Sequence, residues 1–321
     1  MSAPTTPGSP EPVSLKLQTL DDWRNERYRR RPDLRLRSRD QALTFINDVG
    51  FCFTFHGRDA EAPSLFEAVC GERRAIVTVH DDADLGRTWH WKDELPASGA
   101  VYYAKLLRKR PTLISLDLLP YFYALSPNYG DIEDYILEYQ EGHLSDEARR
   151  VYETLLSEGA MPTSHLRRKA GLEGERNALR FDRAVRELQI SMKIAVAGIS
   201  DANRWGYCFV YDVVLRRWPD LPKQAGAISS REAKHRLTLA HLRNVGAARL
   251  SDLTSLFGWD KAEFTPLVSA WVATGELLTG GRMDGFHGEY LVWPELIQAA
   301  LPRPKRRSRC AGLLAKPAAH G

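Results

Sequence analysis

The chain is 321 residues long with a net charge of +4, and 43% of its residues are hydrophobic and 27% charged. Those are the proportions of a soluble globular protein with room for two or three domains, and no apolar stretch approaches a membrane span. Cys52, Cys70, Cys208 and Cys310 stand far apart, with no Cys-x-x-Cys or His-x-x-x-His spacing, which argues against a zinc site and for buried thiols in a reducing compartment.

The positive charge is concentrated in two stretches. Residues 21–39 hold eight Arg against four acids, and residues 302–321 hold six Lys or Arg and no acid, so the rest of the chain is net negative. Local patches, not a basic body, must carry any affinity for nucleic acid.

In chain order, residues 1–15 read as a Pro/Ser/Thr-rich disordered tail. Residues 16–39 read as a helix followed by a basic arm, expected to cover the body through salt bridges more than to lie on phosphates. Ser38 or Asp40 can cap a helix through Ala42, Phe45, Ile46 and Val49, ended by Gly50. Phe51 to Phe55 reads as a buried strand, and Leu65 to Cys70 as a short helix. The acidic run Asp81-Asp82-Ala83-Asp84 lacks calcium-loop spacing and reads as a solvated turn. Trp89-His90-Trp91 reads as a packing knot. Ala100 to Arg110 is expected to be helical, Pro111 to Ile114 extended, and Ser115 to Leu125 an aromatic-rich helix.

The most informative stretch is Leu144 to Val214. Ser145 can cap a helix with the apolar stripe Ala148, Val151 and Leu155, ended by Gly159. Thr163 and Ser164 open a short second helix, stopped by Gly171. In a helix over 176–188, Ala178, Phe181, Ala184, Val185 and Leu188 share one side. Arg176, Arg180, Arg183 and, at the edge, Arg186 share the other, with Leu179 among them. Guanidinium groups so placed can hold phosphates or reach guanine edges. The bland alternative is a solvated face, its arginines paired with Asp182 and Glu187. Lys193 to Val196, then Tyr207, Phe209 and Tyr211, alternate as two strands around a tip containing Arg204 and Trp205. Arg204 can touch phosphate or enter a minor groove; Trp205 can wedge or pack. Helix, helix, basic helix and hairpin is the order of a winged helix.

A second copy follows at an offset of 87 residues. Ser157-Glu158-Gly159-Ala160 aligns with Asn244-Val245-Gly246-Ala247, and Ser164, Leu166 and Gly171 align with Ser251, Leu253 and Gly258. Its third helix carries Phe264, Leu267, Val268, Trp271 and Val272 but only Lys261 as a cation, so it is expected to support structure or contact another domain. From Pro302 the chain ends in a basic tail suited to salt-sensitive DNA contact or to solubility.

Tandem winged helices together with Tyr102-Tyr103-Ala104-Lys105-Leu106-Leu107, Pro120-Tyr121-Phe122-Tyr123-Ala124-Leu125 and Arg180-Phe181-Asp182-Arg183 resemble the bacterial winged-helix DNA glycosylases (AlkZ/YcaQ-like) over residues 16–300. The resemblance implies a protein that wraps duplex DNA and hydrolyses the N-glycosidic bond of alkylated or crosslinked bases. That family uses an early Gln-x-Gln or Gln-x-Asp motif. Here Gln18, Gln41, Gln140, Gln189, Gln224 and Gln298 all lack Gln or Asp two residues on, and Phe53 and Phe55 occupy the stretch where the motif is sought. Asp48, His56 and Asp59 are the nearby ionisable groups.

The resulting expectation is an α+β, mainly helical protein with tandem winged-helix domains. Its predicted divisions are a disordered tail at 1–15, a helical or winged-helix-like domain at 16–140, a winged helix at 141–222, a second at 223–301 and a basic tail at 302–321. The expected partner is double-stranded DNA, damaged or distorted, with no membrane, metal or small-molecule cofactor, in the cytoplasm on the nucleoid. DNA-binding residues are Arg176, Arg180, Arg183, Arg186, Arg204 and Trp205; no catalytic residue is assigned. The alternatives are a transcription regulator and a protein-interaction module.

Overall fold

The computed structural model of the chain describes residues 14–58, 61–76, 82–202, 206–283 and 286–300. Strand β1 (Ser14–Leu15) and helix α1 (Leu17–Arg27) lead in. One series of elements then recurs three times: helix, short strand, short helix, third helix, two-stranded hairpin. The first pass is α2 (Arg39–Val49), β2 (Phe51–Phe53), α3 (Leu65–Cys70), α4 (Ala83–Ala97), β3 (Val101–Lys105) and β4 (Pro111–Ser115). Two connecting helices follow, α5 (Leu119–Tyr123) and α6 (Asp134–Gln140). The second pass is α7 (Asp146–Glu158), β5 (Met161–Pro162), α8 (Thr163–Lys169), α9 (Glu175–Ile190), β6 (Ile194–Ser200) and β7 (Cys208–Val213). After α10 (Val214–Arg217) and α11 (Leu221–Gly226), the third pass is α12 (Ser230–Val245), β8 (Ala247–Ala248), α13 (Leu250–Phe257), α14 (Lys261–Ala273), β9 (Leu278–Met283) and β10 (Phe286–Val292), closed by α15 (Pro294–Ala300). The architecture is thus mixed, helices around small sheets. Each sheet has the last hairpin strand in the centre: β2-β4-β3, β5-β7-β6 and β8-β10-β9, the third extended by β1 parallel to β9.

The same local chemistry sets up each pass. A serine precedes the first helix and its hydroxyl accepts a backbone N–H three residues on: Ser38 from Gln41, Ser145 from Ala148, Ser229 from Glu232. Such a cap satisfies one otherwise orphaned donor and contributes about 1 kcal/mol. A glycine with positive φ ends that helix, at Gly50, Gly159 and Gly246, and another follows the short helix, at Gly71, Gly171 and Gly258. At Gly246 a Cβ would come within 3.1 Å of Leu20, Trp23 and Leu296, so both the backbone conformation and the close packing of α1 and α15 require glycine.

Alternate faces of these elements fill the interior. Phe45, Ile46, Leu95, Val101 and Leu113 of the first pass share one apolar cluster with Val151, Leu155, Phe181 and Leu188 of the second. A second cluster joins the first and third passes through Phe51, Phe122, Leu237 and Leu256. Trp271 is buried in the third pass with Phe264, Val268 and Leu253.

Two expectations are corrected. Residues 101–105 form a strand, not part of a helix: Val101 to Ala104 are all buried, so the run shows no alternation and its length alone cannot distinguish strand from helix. The acidic run is not a simple turn. Asp82 caps α4, accepting from the N–H groups of Asp84 and Leu85, and Trp89 to Trp91 lie inside that helix.

The basic N-terminal arm covers the body, as expected. Arg24 donates to the carbonyls of Val245 (2.9 Å) and Ala247 (3.3 Å). Arg30 pairs with buried Glu67 at 2.8 Å, and Arg35 with Asp84 at 2.5 Å. Among the described residues no helix is long and apolar enough to cross a membrane, and no group of three metal-ligating side chains gathers.

Candidate nucleic-acid interface

Helix α9 presents the two faces its periodicity predicts. Phe181, Ala184, Val185 and Leu188 are buried, while Arg176, Arg180 and Arg183 are exposed and Arg186 partly so. Leu179 projects among them, 69% exposed. The arginines are not neutralised on their own helix. Glu187 instead accepts from the N–H and hydroxyl of Ser145, both at 2.7 Å, locking α9 to the start of α7. Arg180 pairs with Glu147 of α7. Among the described residues, Arg176, Arg183 and Arg186 form no ion pair. Their charge is therefore available to an incoming anion.

A second basic element faces the C-terminal half of α9. The turn joining β3 to β4 holds Arg108 and Lys109 at φ of 51° and 59°. Two successive left-handed non-glycine residues cost roughly 1–2 kcal/mol each and persist only when their surroundings hold them. Here Arg108 reaches Glu61 at 3.3 Å and also contacts Ser255 of α13. Arg110 pairs with Glu61 at 3.1 Å, donates to the His56 carbonyl at 2.6 Å and lies 4.3 Å over the Phe53 ring. Lys109 remains exposed, and with His143, Arg183 and Arg186 it lines a groove of about 400 Å³.

The stretch where a glutamine motif would fall carries Phe53 and Phe55, with His56 as its imidazole. Phe53 is buried, and Phe55 packs against Phe66 (5.9 Å) and Trp89 (5.6 Å). Asp48 is a structural hub, bonded to Arg27 (3.0 Å), Arg29 (3.7 Å) and Arg243 (3.2 Å), and so ties α1, α2 and α12 together. His56 stacks on Phe66. Asp59 lies outside the described residues, as do Arg204 and Trp205.

One ionisable cluster near this stretch was not legible in the sequence. Lys92 of α4, 1% exposed, donates to Asp93 at 2.5 Å and to the Tyr207 hydroxyl at 2.9 Å, and that hydroxyl donates to Asp93 at 2.9 Å. The ammonium sits 4.3 Å from the Trp89 ring centre and 4.8 Å from that of Phe209. Burial pushes the Lys92 pKa down, against the opposing pull of Asp93. Trp89 in turn contacts Tyr207 at 6.4 Å, so a wall of rings runs from Phe55 to the hairpin of the second pass.

The family described as "AlkZ related" matches residues 36–258 of the chain. Among solved structures, the fold is similar to the Streptomyces sahachiroi DNA glycosylase AlkZ, with a TM-score of 0.53 and 14% identity over 90% of this chain and 74% of that one. At that identity the likeness speaks for the fold alone. No curated protein sequence matches.

Proposed function

The chain belongs to the AlkZ-related family, and from that premise we propose that it is a duplex-DNA-binding repair protein of glycosylase type. Its three passes act as winged helices, bounded near 16–140, 141–222 and 223–301, on damaged DNA in the cytoplasm. Its DNA-facing residues are Arg176, Arg180, Arg183 and Arg186, together with Arg204 and Trp205, which lie outside the described residues. The observation that carries this reading is the outer face of α9, where three arginines stand without ion pairs among the described residues, beside a held basic turn. A merely solvated face would pair its charges locally, as Arg149 does with Asp146 and Glu153. Titration of labelled duplex at several salt concentrations tests it: tight binding with a steep log–log slope is expected, and binding that ignores salt would point to a protein-interaction module.

A second reading, binding without excision, is favoured by Phe53 and Phe55 and by the three arginines that hold Asp48. Hydrolysis needs a positioned water and support for the developing sugar cation, whereas binding needs only the positive surface. Glu61 is close to that stretch but is held by Arg108 and Arg110, while Asp93 belongs to the helix whose Trp89 packs on Phe55. Incubation with alkylated and crosslinked duplexes, followed by detection of abasic sites, separates the two. Excision by the wild type that Asp93→Asn removes assigns the chemistry to this cluster. No excision across the panel, with binding intact, leaves a binding-only repair factor.

A further inference from the structure

Three cavities lie end to end along α9, and shared lining residues join them. Arg186 lines both a polar pocket of about 140 Å³ containing Gln189 and Tyr211 and the basic groove of about 400 Å³. Ile190 and Pro127 line both that groove and a cleft of about 530 Å³ between the first and third passes. The groove and the cleft differ in chemistry. Lys109, His143, Arg183 and Arg186 face the groove, and its one carboxylate, Glu187, is already held by Ser145. Leu106, Phe122, Leu125, Phe257 and Trp259 make the cleft walls. Its rim is polar, with Ser230, Asp260 and the Lys234 ammonium 3.7 Å from Glu263.

We propose that this trough seats one unpaired nucleotide of a bound DNA, its phosphate on Lys109, Arg183 and Arg186 and its base in the cleft beyond Ile190. A phosphate needs convergent cations in excess of acids, and the groove sets Lys109, Arg183 and Arg186 against the carboxylate of Glu187, whose oxygens are turned onto Ser145. A nucleobase has an apolar face and a polar edge, which matches apolar walls with a polar rim. The cleft volume is within the range of pockets that enclose small organic groups. The left-handed Arg108-Lys109 turn, held by Glu61 and Ser255, is backbone strain located where a ligand would be clamped. Ile190, apolar yet 39% exposed, stands where the base would leave the phosphate path. The proposal rests on the duplex-binding reading of α9 and adds to it a preference for a nucleotide outside the stack.

The test compares a fully paired duplex with one carrying a single bulged 2-aminopurine. The wild type is expected to bind the bulged duplex roughly tenfold tighter, the scale of one stacked base, with a change in 2-aminopurine emission on binding. Ala124→Trp, which fills the cleft, and the surface change Ser230→Trp at its rim are each expected to abolish that preference and leave paired-duplex affinity unchanged. Ser230→Trp keeps the test decisive where Ala124→Trp does not fold. Equal wild-type affinity for both duplexes with constant emission overturns the seat while leaving duplex binding in place. So does a preference that survives Ser230→Trp and Ala124→Trp. Absence of any duplex binding overturns the reading of α9 and the seat together.

Discussion

Helices α9 and α14 hold the same place in two passes of one fold and present opposite surfaces. Both bury one side: Phe181, Ala184 and Leu188 in α9, Phe264, Val268 and Trp271 in α14. On the outer side α9 carries four arginines, whereas α14 shows Lys261, Glu263, Thr265 and Ser269. The inner faces must be alike because each helix closes a sheet of the same strand order over a small core. The outer faces are released from that demand, and only one has become strongly cationic. Core packing and surface charge thus separate along a single helix, by face. Substitutions on the two faces should have effects of different kinds.

The largest effect is expected on the inner face of α14. Trp271 is 2% exposed, with His235 4.7 Å and Phe264 5.9 Å from its ring centre. Trp271→Ala should lower stability by about 3–5 kcal/mol while leaving DNA affinity per folded molecule unchanged. Thermal melts paired with titrations check this. Lost affinity at wild-type stability would reverse the roles of the two helices.

A smaller, pH-dependent effect is expected where the third pass meets the first. His241 is fully buried between Phe51 (6.4 Å) and Phe257 (6.0 Å), and neither ring nitrogen has a hydrogen-bond partner among the described residues. Burial, reinforced by Arg24 and weakly opposed by Asp252, lowers its pKa to about 3. Above pH 6.5 the imidazole is neutral folded or unfolded and contributes no pH dependence. As pH falls from 6.5 towards about 3, the unfolded chain takes up a proton that the native state refuses. Stability then falls by about 1.4 kcal/mol per pH unit from this group. In His241→Phe that part of the slope should vanish in denaturant melts at pH 7, 6 and 5. An unchanged slope would mean that the ring is hydrated or partnered.

Legibility in the sequence followed the same division by face. Helix α9, the serine caps Ser38 and Ser145, and the helix-ending glycines Gly50, Gly159 and Gly171 could be read because apolar positions recur at helical spacing and the boundary residues have local jobs; the Ser229 cap of the third pass went unread. Helix α4 could not be read, because its buried side includes Thr88, Lys92 and Asp93. An ion pair satisfied inside the protein looks like a solvent face in a one-dimensional pattern. Strand β3 was misread because it is buried on both sides, and the basic residues that follow it belong to a turn. The outward arginines were visible from α9 alone. Lys109 was not, because it joins them from a different pass, through a turn that Glu61 and Ser255 hold in place.

The outer face of α9 should respond in affinity and leave stability unchanged. Arg183→Ala with Arg186→Ala removes two unpaired cations from one groove, so the log–log salt slope for duplex binding should shrink by roughly two units. Melting temperature should change little, because neither side chain forms an ion pair among the described residues. A slope that stays the same in a folded double variant would move the interface elsewhere on the molecule.

The smallest effects give the sharpest comparison, that of Arg180→Ala with Lys261→Ala. Arg180 is 61% exposed on its side chain but is already paired with Glu147. Its removal also frees the Glu147 carboxylate beside the remaining arginines, which repels phosphate. Arg180→Ala should therefore weaken duplex binding, with up to about one unit lost from the salt slope. Restoring neutrality with Glu147→Gln in the same chain should recover part of the loss. Lys261 stands on the surface of α14 with Asp260 and Glu263 as sequence neighbours, Asp260 accepting the Glu263 N–H at 2.9 Å to cap the helix. A cation beside two carboxylates presents little net field to a phosphate. Lys261→Ala should leave both slope and affinity where they were. If Lys261→Ala weakened binding as much as Arg180→Ala, the two third helices would share the duplex, and the contrast between their outer faces would be one of degree.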